Sequence, residues 1–499
     1  MDKGLEQLKA RMSEIMDLGH AASVLGWDQM TYMPPGGAEA RGRQQALLGK
    51  LAHEKSVDPA LGKLLDSLKP LEKKLDYDSD EASLIRVSRR GYETATKVPT
   101  EWAARYYKHQ ADSYEAWIKA RPKSDFKAVL PYLEKTNKFA HEYADFFPGY
   151  DHPLDPLIDN FDFGLRAKKV KGIFKELRSD LVPLVKKISK AEQVDDSILS
   201  SDFPEEAQLA FGRAVATDLG YDFQRGRVDR TPHPFTTTFS IGDVRITTRF
   251  NKKVLSEALF STIHESGHAM YEQGSDAKLE ATPLAGGAGM SIHESQSRLW
   301  ENVVGRSLPF WKFYYPKLVK TFPHFKKVKL LDFYKAINKV QPSLIRTEAD
   351  EVTYNLHIMV RFDIEAGLLE DKVTARELPQ VWNSRYESDL GVTPPNHSAG
   401  VMQDVHWYTG LVGYFECYAL GNLLSSQIYG AAVKKRPAIA AEIGKGKFNT
   451  LHSWLTDNVY RHGNKFTTME LLKRNGLGDM DVEPFMKYLR AKYGGIYGL

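Results

Sequence analysis

The sequence has a single cysteine, Cys417, among its 499 residues. An intramolecular disulfide is therefore impossible, which favours a reducing, cytoplasmic environment. An excess of charge of one sign is also missing, since 68 Lys and Arg residues face 64 Asp and Glu residues. Nucleic-acid-binding proteins usually concentrate basic charge, so this balance argues against a nucleic-acid partner.

Long apolar segments are absent as well. No uncharged apolar stretch approaches the roughly 20 residues that a membrane span requires. Charged residues interrupt residues 1–11, where a signal peptide would need an apolar run. Hydrophobic residues nevertheless make up 42% of the chain, which is typical of a globular protein with a sizeable core. We therefore expect a cytoplasmic protein with no membrane partner.

What the sequence does contain is extensive helical periodicity. Leu5, Leu8 and Met12, for example, recur at steps of three and four residues, as on one face of an amphipathic helix. Breakers such as the Pro and Gly residues at 34–37 open no long linker. The sequence therefore predicts a mainly helical fold.

One segment, residues 235–250, has the pattern of β-strands instead. It is rich in Thr, Phe, Ile and Val, with apolar and polar residues alternating, and Gly242-Asp243 predicts a turn that folds it into a hairpin. A helical pattern follows at once, with Leu255, Leu259 and Ile263 four residues apart. The predicted order is a hairpin and then a helix.

That predicted helix carries the motif H-E-x-x-H, formed by His264, Glu265 and His268. The two histidines are four residues apart, so in a helix their imidazoles share a face and can bind one zinc ion through one nitrogen each. Glu265 lies one step round the helix, where it can take a proton from a zinc-activated water and deliver it to the leaving amine. The alternative is a surface helix with two solvated histidines, but the apolar Ile263 beside the motif argues for burial.

A catalytic zinc site also needs a third protein ligand and one open position. Glu294 is the candidate, because it lies at the start of a second predicted helix, after a glycine-rich loop at residues 286–289. Spacing alone leaves two alternatives open. Ser291 to Glu294 matches a helix capping box, and His293 could be the ligand instead, or a hydrogen-bond donor outside the ligand set.

Two Arg–Asp pairs offer a choice between structural and functional roles. Arg346 and Asp350 lie on a predicted helix that Pro342 opens, so they could form an ion pair within that helix, or Arg346 could bind a substrate carboxylate. Asp243 and Arg245 lie on the predicted hairpin. They could form a salt bridge or turn contact, or belong to an edge strand that holds the substrate backbone.

His406 precedes several tyrosines, among them Tyr414 and Tyr418. A His side chain and a Tyr hydroxyl can stabilise the oxyanion that forms when water attacks a peptide carbonyl. The alternative is aromatic packing around a hydrogen-bonded His. We expect His406, followed by Tyr418 and Tyr414, to assist catalysis.

With these residues identified, the chain resembles the thermostable carboxypeptidase Taq family of zinc metallocarboxypeptidases, nearly from end to end. Several unrelated motifs in the family's order are far more specific than H-E-x-x-H alone. Besides H-E-x-x-H, the matching motifs are Trp27-Asp28-Gln29 with Met33-Pro34, His233-Pro234-Phe235, D-x-R-x-T at 243–247, His293-Glu294-Ser295-Gln296, I-R-x-x-A-D at 345–350 and G-x-x-Q-D-x-H-W at 400–407.

The resemblance implies that Glu294 is the third zinc ligand and that single residues are released from peptide C-termini. The histidine pair and the carboxylate predict one zinc ion per chain, in a kind of site that cobalt can also occupy. For the assembly, the resemblance implies usually a homodimer. It also implies that residues 1–499 form one catalytic domain with a mainly helical, two-lobed fold around a deep central groove, similar to neurolysin and angiotensin-converting enzyme. The substrate-binding candidates on the motifs are Arg346, Arg245, Asp243, His293 and Gln296.

Two other functions are consistent with the sequence. An oligopeptide endopeptidase could use the same scaffold, and it alone should cut a peptide with an amidated C-terminus well. The second is a helical binding or scaffold protein with a structural zinc. A structural site closes with four protein ligands, however, and has no use for a base such as Glu265.

Overall fold

The computed structural model describes residues 2–499. The chain divides into two compact units, each assembled from three stretches of sequence. Unit 1 consists of Met1–Thr96, Asp196–Ile337 and Ile428–Gly478, and unit 2 consists of Lys97–Asp195, Asn338–Gln427 and Asp479–Leu499.

The mainly helical fold expected from the sequence is confirmed. Among residues 2–499, no helix has both the length and the apolar character needed to cross a membrane. A π-helix, Leu299–Val304, directly follows the α-helix Met290–Arg298. In chain order the α-helices are α1 Lys3–Thr31, α2 Ala38–Ser56, α3 Pro59–Glu72, α4 Asp80–Lys97, α5 Thr100–Ala120, α6 Phe126–Asp145, α7 Asp155–Asp159, α8 Ala167–Ile188, α9 Glu205–Leu219, α10 Leu255–Gln273, α11 Met290–Arg298, α12 Leu308–Thr321, α13 Leu330–Ala336, α14 Tyr354–Leu369, α15 Leu378–Leu390, α16 Glu416–Lys435, α17 Ile439–Ile443, α18 Asn449–Asn458, α19 Thr468–Arg474 and α20 Glu483–Tyr497.

Helix α1 shows how the local sequence sets these elements. The Asp2 carboxylate caps its first turn by accepting hydrogen bonds from the backbone N–H groups of Gly4 and Leu5. The predicted stripe of Leu5, Leu8 and Met12 is buried and belongs to the apolar cluster that includes residues of α3 and α4. The helical period read from the sequence therefore corresponds to a packed face.

The small sheet of unit 1 has three strands, β1 Val228–Arg230, β2 Thr236–Ser240 and β3 Asp243–Thr248, in the order β1-β3-β2. Strands β2 and β3 form the antiparallel hairpin that the sequence predicts, with an irregularity between Thr238 and Ser240. Strand β1 pairs with β3 in parallel. It is not part of the sequence-based prediction, because three residues are too few to show alternation.

Helix α10 in unit 1 and helix α14 in unit 2 are buried along nearly their whole length. Polar side chains on these helices are thus held in surroundings of low dielectric, where each needs a partner. Gly267 lets α10 approach α11 closely, since a Cβ there would lie 2.6 Å from Ser297 Cα. This contact brings the H-E-x-x-H helix against the helix that carries Glu294.

Candidate active site

His264 and His268 of α10 and Glu294 of α11 meet at one point in unit 1, with their possible ligand atoms within 4.8 Å of one another. Glu294 Oε2 lies 3.6 Å from His264 Nε2 and 3.2 Å from His268 Nε2. Helix α11 begins at Met290 with Gly289 as its N-cap. The alternative of a capping box at Ser291–Glu294 is therefore wrong, because Gly289 is the N-cap and Ser291 already lies within the helix.

The three donors fit a metal ion by their chemistry and their spacing. Two imidazole nitrogens and a carboxylate oxygen form a donor set found in catalytic zinc sites. Ligand atoms about 2 Å from a tetrahedral ion lie roughly 3.3 Å apart, close to the two distances between Glu294 and the histidines. The Arg298 Nε–H donates to Glu294 Oε1 over 2.7 Å, so Oε2 is the oxygen that faces both imidazoles.

Glu265 follows His264 on α10 and is buried beside strand β2. The Thr236 hydroxyl lies 2.6 Å from Glu265 Oε2 and 3.0 Å from the Glu265 backbone carbonyl oxygen. Burial raises the pKa of the Glu265 carboxyl above its ordinary value. Strand β2 therefore fixes one oxygen of Glu265, Oε2, in place.

His264 is oriented from behind by Glu301, on the π-helix that follows α11. Glu301 Oε2 lies 2.8 Å from His264 Nδ1, which leaves Nε2 of that ring for a metal. Arg298 binds Glu301 Oε2 as well, over 3.2 Å, and so links this carboxylate to Glu294. Burial opposes ionisation of Glu301, but Arg298 and His264 hold the pKa of its carboxyl at about 2.

His268 is oriented by a different arrangement. Its Nδ1 lies 2.6 Å from His293 Nδ1, and His293 Nε2 lies 2.6 Å from Glu272 Oε1. His293 thus contacts His268 and is not one of the three clustered donors. Gln296 is fully buried, with its amide nitrogen donating to the Ser295 hydroxyl over 2.8 Å.

Asp243 and Arg245 bind each other on strand β3. Arg245 Nε lies 2.8 Å from Asp243 Oδ1, and its terminal nitrogen lies 2.7 Å from Oδ2, a paired fork. The Arg245 guanidinium also stacks 4.4 Å from the Trp27 ring centroid and 4.9 Å from that of Phe239. These contacts are those of the structural salt bridge considered from the sequence, and a substrate role for either residue stays a prediction.

The predicted helix around Arg346 is wrong. Residues 338–353 contain only a short 3₁₀ turn, Arg346–Glu348, and α14 begins at Tyr354. Asp350 is not the partner of Arg346, because its oxygens accept from the backbone N–H groups of residues 341, 352 and 353 and from the Thr353 hydroxyl. Arg346 instead binds Asp404 Oδ1 through two nitrogens, at 2.9 and 2.8 Å.

Asp404 is shared by two buried guanidinium groups of unit 2. Arg361 of α14 binds its second oxygen, Oδ2, at 2.6 and 2.5 Å. Burial opposes ionisation, yet Arg346 and Arg361 hold the pKa of the Asp404 carboxyl far below its ordinary value. Two cations therefore face one anion, and the group carries a net positive charge.

His406, Tyr414 and Tyr418 also lie together in unit 2. The Tyr418 hydroxyl lies 3.3 Å from His406 Nε2, and the Tyr414 and Tyr418 rings pack edge to face with centroids 5.3 Å apart. Burial and the nearby Arg346 lower the pKa of His406 to about 3. The imidazole is therefore neutral at ordinary pH, with a single N–H to donate.

The loop that carries His406 is held from several sides within unit 2. Glu365 of α14 accepts hydrogen bonds from Trp407 Nε1 at 2.8 Å and from the Gly413 backbone at 3.1 Å. Tyr106 of α5 donates its hydroxyl to the Gly410 carbonyl over 2.6 Å. Helix α14 thus holds this loop near both ends, at Trp407 and Gly413, and α5 holds it at Gly410.

Four residues that support the site are missing from the sequence-based candidates: Thr236, Glu272, Arg298 and Glu301. Signals for three of them are present, since Glu272 follows His268 by four residues, while Arg298 and Glu301 follow Glu294 by four and seven. Such spacings place charged residues on one helical face. Thr236 has no comparable signal, because its contact joins a strand to a helix.

Comparisons with known proteins identify the family. The family model described as "Carboxypeptidase Taq (M32) metallopeptidase" matches residues 7–493. Thermostable carboxypeptidase 1 of Thermus thermophilus is 37% identical over 491 residues, which cover 96% of each chain.

Solved structures agree with the sequence match. The M32 carboxypeptidase of Deinococcus radiodurans R1 is 44% identical, with a TM-score of 0.97 over 100% of both chains. Metallocarboxypeptidase 1 of Trypanosoma cruzi is 30% identical, with a TM-score of 0.94 over 98% of this chain and 99% of that one. The resemblance seen in the motifs is thereby confirmed, and the chain belongs to the carboxypeptidase Taq (M32) family of metallopeptidases and is a metallocarboxypeptidase.

Proposed function

We propose that this metallocarboxypeptidase uses one zinc ion, held by His264, His268 and Glu294, to release single residues from the C-termini of peptides. The observation that carries the proposal is the convergence of these three donors beside Glu265. A bound zinc ion would supply Lewis acidity, which lowers the pKa of water and polarises a peptide carbonyl. Cobalt, with similar ligand preferences, is proposed as a functional substitute.

Glu265 is proposed as the general base. Its Oε2 is engaged by Thr236, so Oε1 takes the proton from the attacking water and then delivers it to the amine of the departing residue. General bases of this kind contribute about 10²–10⁴-fold to rate. Burial raises the pKa of its carboxyl, which makes the carboxylate a stronger base for the proton of water.

His406 and Tyr418 are proposed to donate hydrogen bonds to the oxyanion, with Tyr414 as a further candidate. A neutral His406 can donate one N–H, and a tyrosine hydroxyl can donate its single proton. Their value lies in being fixed before the reaction, because donors that need no rearrangement stabilise developing charge most effectively. The fastening of residues 406–413 by Glu365 and Tyr106 supports that fixed arrangement.

Arg346 is proposed to bind the terminal carboxylate of the substrate. An exopeptidase must distinguish a chain end from a chain interior, and the terminal carboxylate is the distinguishing charge. The net positive charge of Arg346, Arg361 and Asp404 favours an anion. Arg245 is the second choice, because its charge is already matched by the paired fork to Asp243. A substrate-binding role is also proposed, from the family motifs alone, for Asp243, His293 and Gln296.

Matched peptides with a free or an amidated C-terminus test this specificity. We expect Arg346→Ala to lower kcat/KM on the free acid by roughly 30-fold or more, since losing one partner of a desolvated charge pair costs about 2–5 kcal/mol. The amidated peptide should be a poor substrate for every variant. Equal loss on both peptides would make Arg346 structural, and efficient cleavage of the amide by the wild type would favour an endopeptidase.

Metal analysis tests the centre itself. Glu265→Gln should keep both the metal and the fold while turnover falls by about 10²–10⁴-fold, and His264→Ala should lose metal and activity together. Elemental analysis of the purified variants, and reconstitution of the stripped wild type with zinc or cobalt, give the measurements. Full metal content in His264→Ala would remove that residue from the ligand set.

A non-catalytic scaffold with a structural zinc is the weaker alternative. Structural sites close with four protein ligands, whereas the donor group found among residues 2–499 has three members. We further propose a cytoplasmic homodimer of single-domain chains, on the lone cysteine and the family resemblance. Light scattering after size-exclusion chromatography, over a range of protein concentrations, tests the dimer.

A further inference from the structure

Glu272 and the glycine loop, residues 286–289, surround His293 on the side away from His268. Glu272 is buried one helical turn after His268 on α10, and its Oε1 accepts from His293 Nε2 at 2.6 Å and from the Gly287 backbone at 2.9 Å. We infer that Glu272 and the glycine loop are positioning elements of the metal centre, which act through His293 to fix the orientation and tautomer of His268. The inference rests on the proposed zinc site.

The hydrogen bonds have one consistent direction when His293 is neutral. A carboxylate only accepts, so His293 Nε2 carries the hydrogen that points at Glu272. The lone pair of His293 then lies on Nδ1, which must accept from His268 Nδ1 across 2.6 Å. His268 consequently carries its hydrogen on Nδ1, and its Nε2 lone pair is available for the proposed zinc ion, with Glu294 Oε2 3.2 Å away.

The glycine loop holds this chain of contacts at its outer end. A Cβ at Gly287 would lie 2.5 Å from His293 Cδ2 and 2.8 Å from Tyr271 Cε1, so a side chain there would displace the imidazole. Gly286 has φ +90°, a conformation that other residues rarely adopt. The Ala288 backbone N–H donates to the Tyr271 hydroxyl over 3.0 Å, which anchors the loop to α10.

The two histidines of the H-E-x-x-H motif are therefore positioned by two different carboxylates. Glu301 contacts His264 directly, at 2.8 Å, and Glu272 reaches His268 through His293. Carboxylates that orient ligating histidines typically change metal affinity by 10–100-fold when removed. The same magnitude is expected for Glu272, although it lies one residue further from the metal position.

The test measures zinc affinity on the full-length protein by competition with a chromophoric chelator, with Glu272→Ala, Glu272→Gln and Gly287→Ala. Glu272→Ala should bind zinc about 10–100-fold more weakly. Glu272→Gln should recover much of the loss, because an amide oxygen can still accept from His293. Gly287→Ala should weaken binding by roughly 10-fold or more by pushing His293 aside.

Glu370→Ala is the matched control, because Glu370 makes the same kind of contact with His152 in unit 2, at 2.9 Å. Its zinc affinity should equal that of the wild type. The visible absorption spectrum of the cobalt-loaded protein gives a second readout, since a reoriented His268 changes the ligand field. We expect a spectral change in Glu272→Ala and Gly287→Ala but not in Glu370→Ala.

Wild-type zinc affinity and an unchanged cobalt spectrum in folded Glu272→Ala would overturn the inference. Should that variant fail to fold, Gly287→Ala decides in the same way, because it leaves every hydrogen-bonding group of the chain of contacts in place. Failure of the proposed function looks different. In that case the wild type itself would bind neither zinc nor cobalt at His264, His268 and Glu294.

Discussion

Removing the Asp404 charge should destabilise the protein more than removing either of the two arginines that share it. Asp404→Asn leaves two buried guanidinium groups without an anion, and the Arg361 side chain is 0% exposed. Arg346→Met or Arg361→Met leaves one arginine paired with Asp404, a balanced arrangement. The asymmetry follows from two cations sharing one carboxylate, with one oxygen for each.

Breaking a buried pair by deleting one partner costs about 3–5 kcal/mol, because a charge is left buried and uncompensated. We expect the loss in free energy of unfolding to lie at or above the top of that range for Asp404→Asn. For each arginine variant it should lie near or below the lower end. For a folding unit of this size, each kcal/mol moves the thermal midpoint by roughly 2–4 °C. Asp404→Asn should therefore melt on the order of 10 °C below the wild type.

The difference between wild type and Asp404→Asn should also depend on pH. The pKa of Asp404 is depressed in the folded state, whereas in an unfolded chain it is about 3.9. The stabilisation by its charge is thus fully present above about pH 4 and declines as the pH falls from there toward the folded pKa. The gap in melting temperature should be constant from about pH 5 to 8 and narrow below about pH 4.

Differential scanning calorimetry of the three variants, each without metal, provides the measurement. Comparing midpoints avoids treating the two compact units as a single two-state transition. The reasoning is refuted if Arg346→Met lowers the midpoint as much as Asp404→Asn does. It is also refuted if the gap for Asp404→Asn stays unchanged down to pH 2, since an unshared, solvated carboxyl would then be indicated.

Two further predictions concern residues that hold the catalytic groups in place. Thr236→Val should keep the zinc content but lower kcat by roughly 10-fold, because it removes a hydrogen bond to Glu265 worth about 1.5–3 kcal/mol. Thr236→Ser, which keeps the hydroxyl, is the control. A normal kcat in Thr236→Val would show that Glu265 does not need this hydrogen bond. Gly413→Ala should lower the thermal midpoint more than Gly391→Ala: both have positive φ, +75° and +71°, but a Cβ at Gly413 would lie 2.9 Å from Ile158 N, while Gly391 faces open space. Equal midpoints would contradict this.

Sequence periodicity predicted the parts of the site that a single element carries. Alternation of polar and apolar residues predicted the hairpin of β2 and β3. The i,i+4 spacing predicted that α10 presents His264 and His268 on one face, with Glu265 beside them. The same i,i+4 spacing places Glu272 on this face of α10, one turn beyond His268. Interactions within one helix can be read from the sequence, since the helix itself fixes the geometry.

Residues 338–353 show where that reasoning ends. Apolar residues at helical spacing and a leading Pro342 predicted a helix, but α14 begins only at Tyr354. Asp350 accepts from the backbone N–H groups of residues 352 and 353, just before that helix begins. Arg346 forms its buried pair with Asp404 instead. Local propensity gives way here to a contact between segments 58 residues apart, and no spacing rule indicates such a contact.

The motif residues also show why membership in a motif does not determine a residue's role. Arg245 belongs to the D-x-R-x-T motif, and its guanidinium forms two hydrogen bonds with Asp243. Asp404 belongs to the G-x-x-Q-D-x-H-W motif, and each of its oxygens binds one arginine. In each case the motif residue is paired with an opposite charge, partly exposed for Arg245 and Asp243 and largely buried for Asp404. Such a paired group can still attract a charged substrate, but only through the net charge that remains after pairing. Arg245 and Asp243 have none, whereas the two arginines on Asp404 retain one positive charge. That difference is the physical reason to place the substrate carboxylate at Arg346 rather than at Arg245.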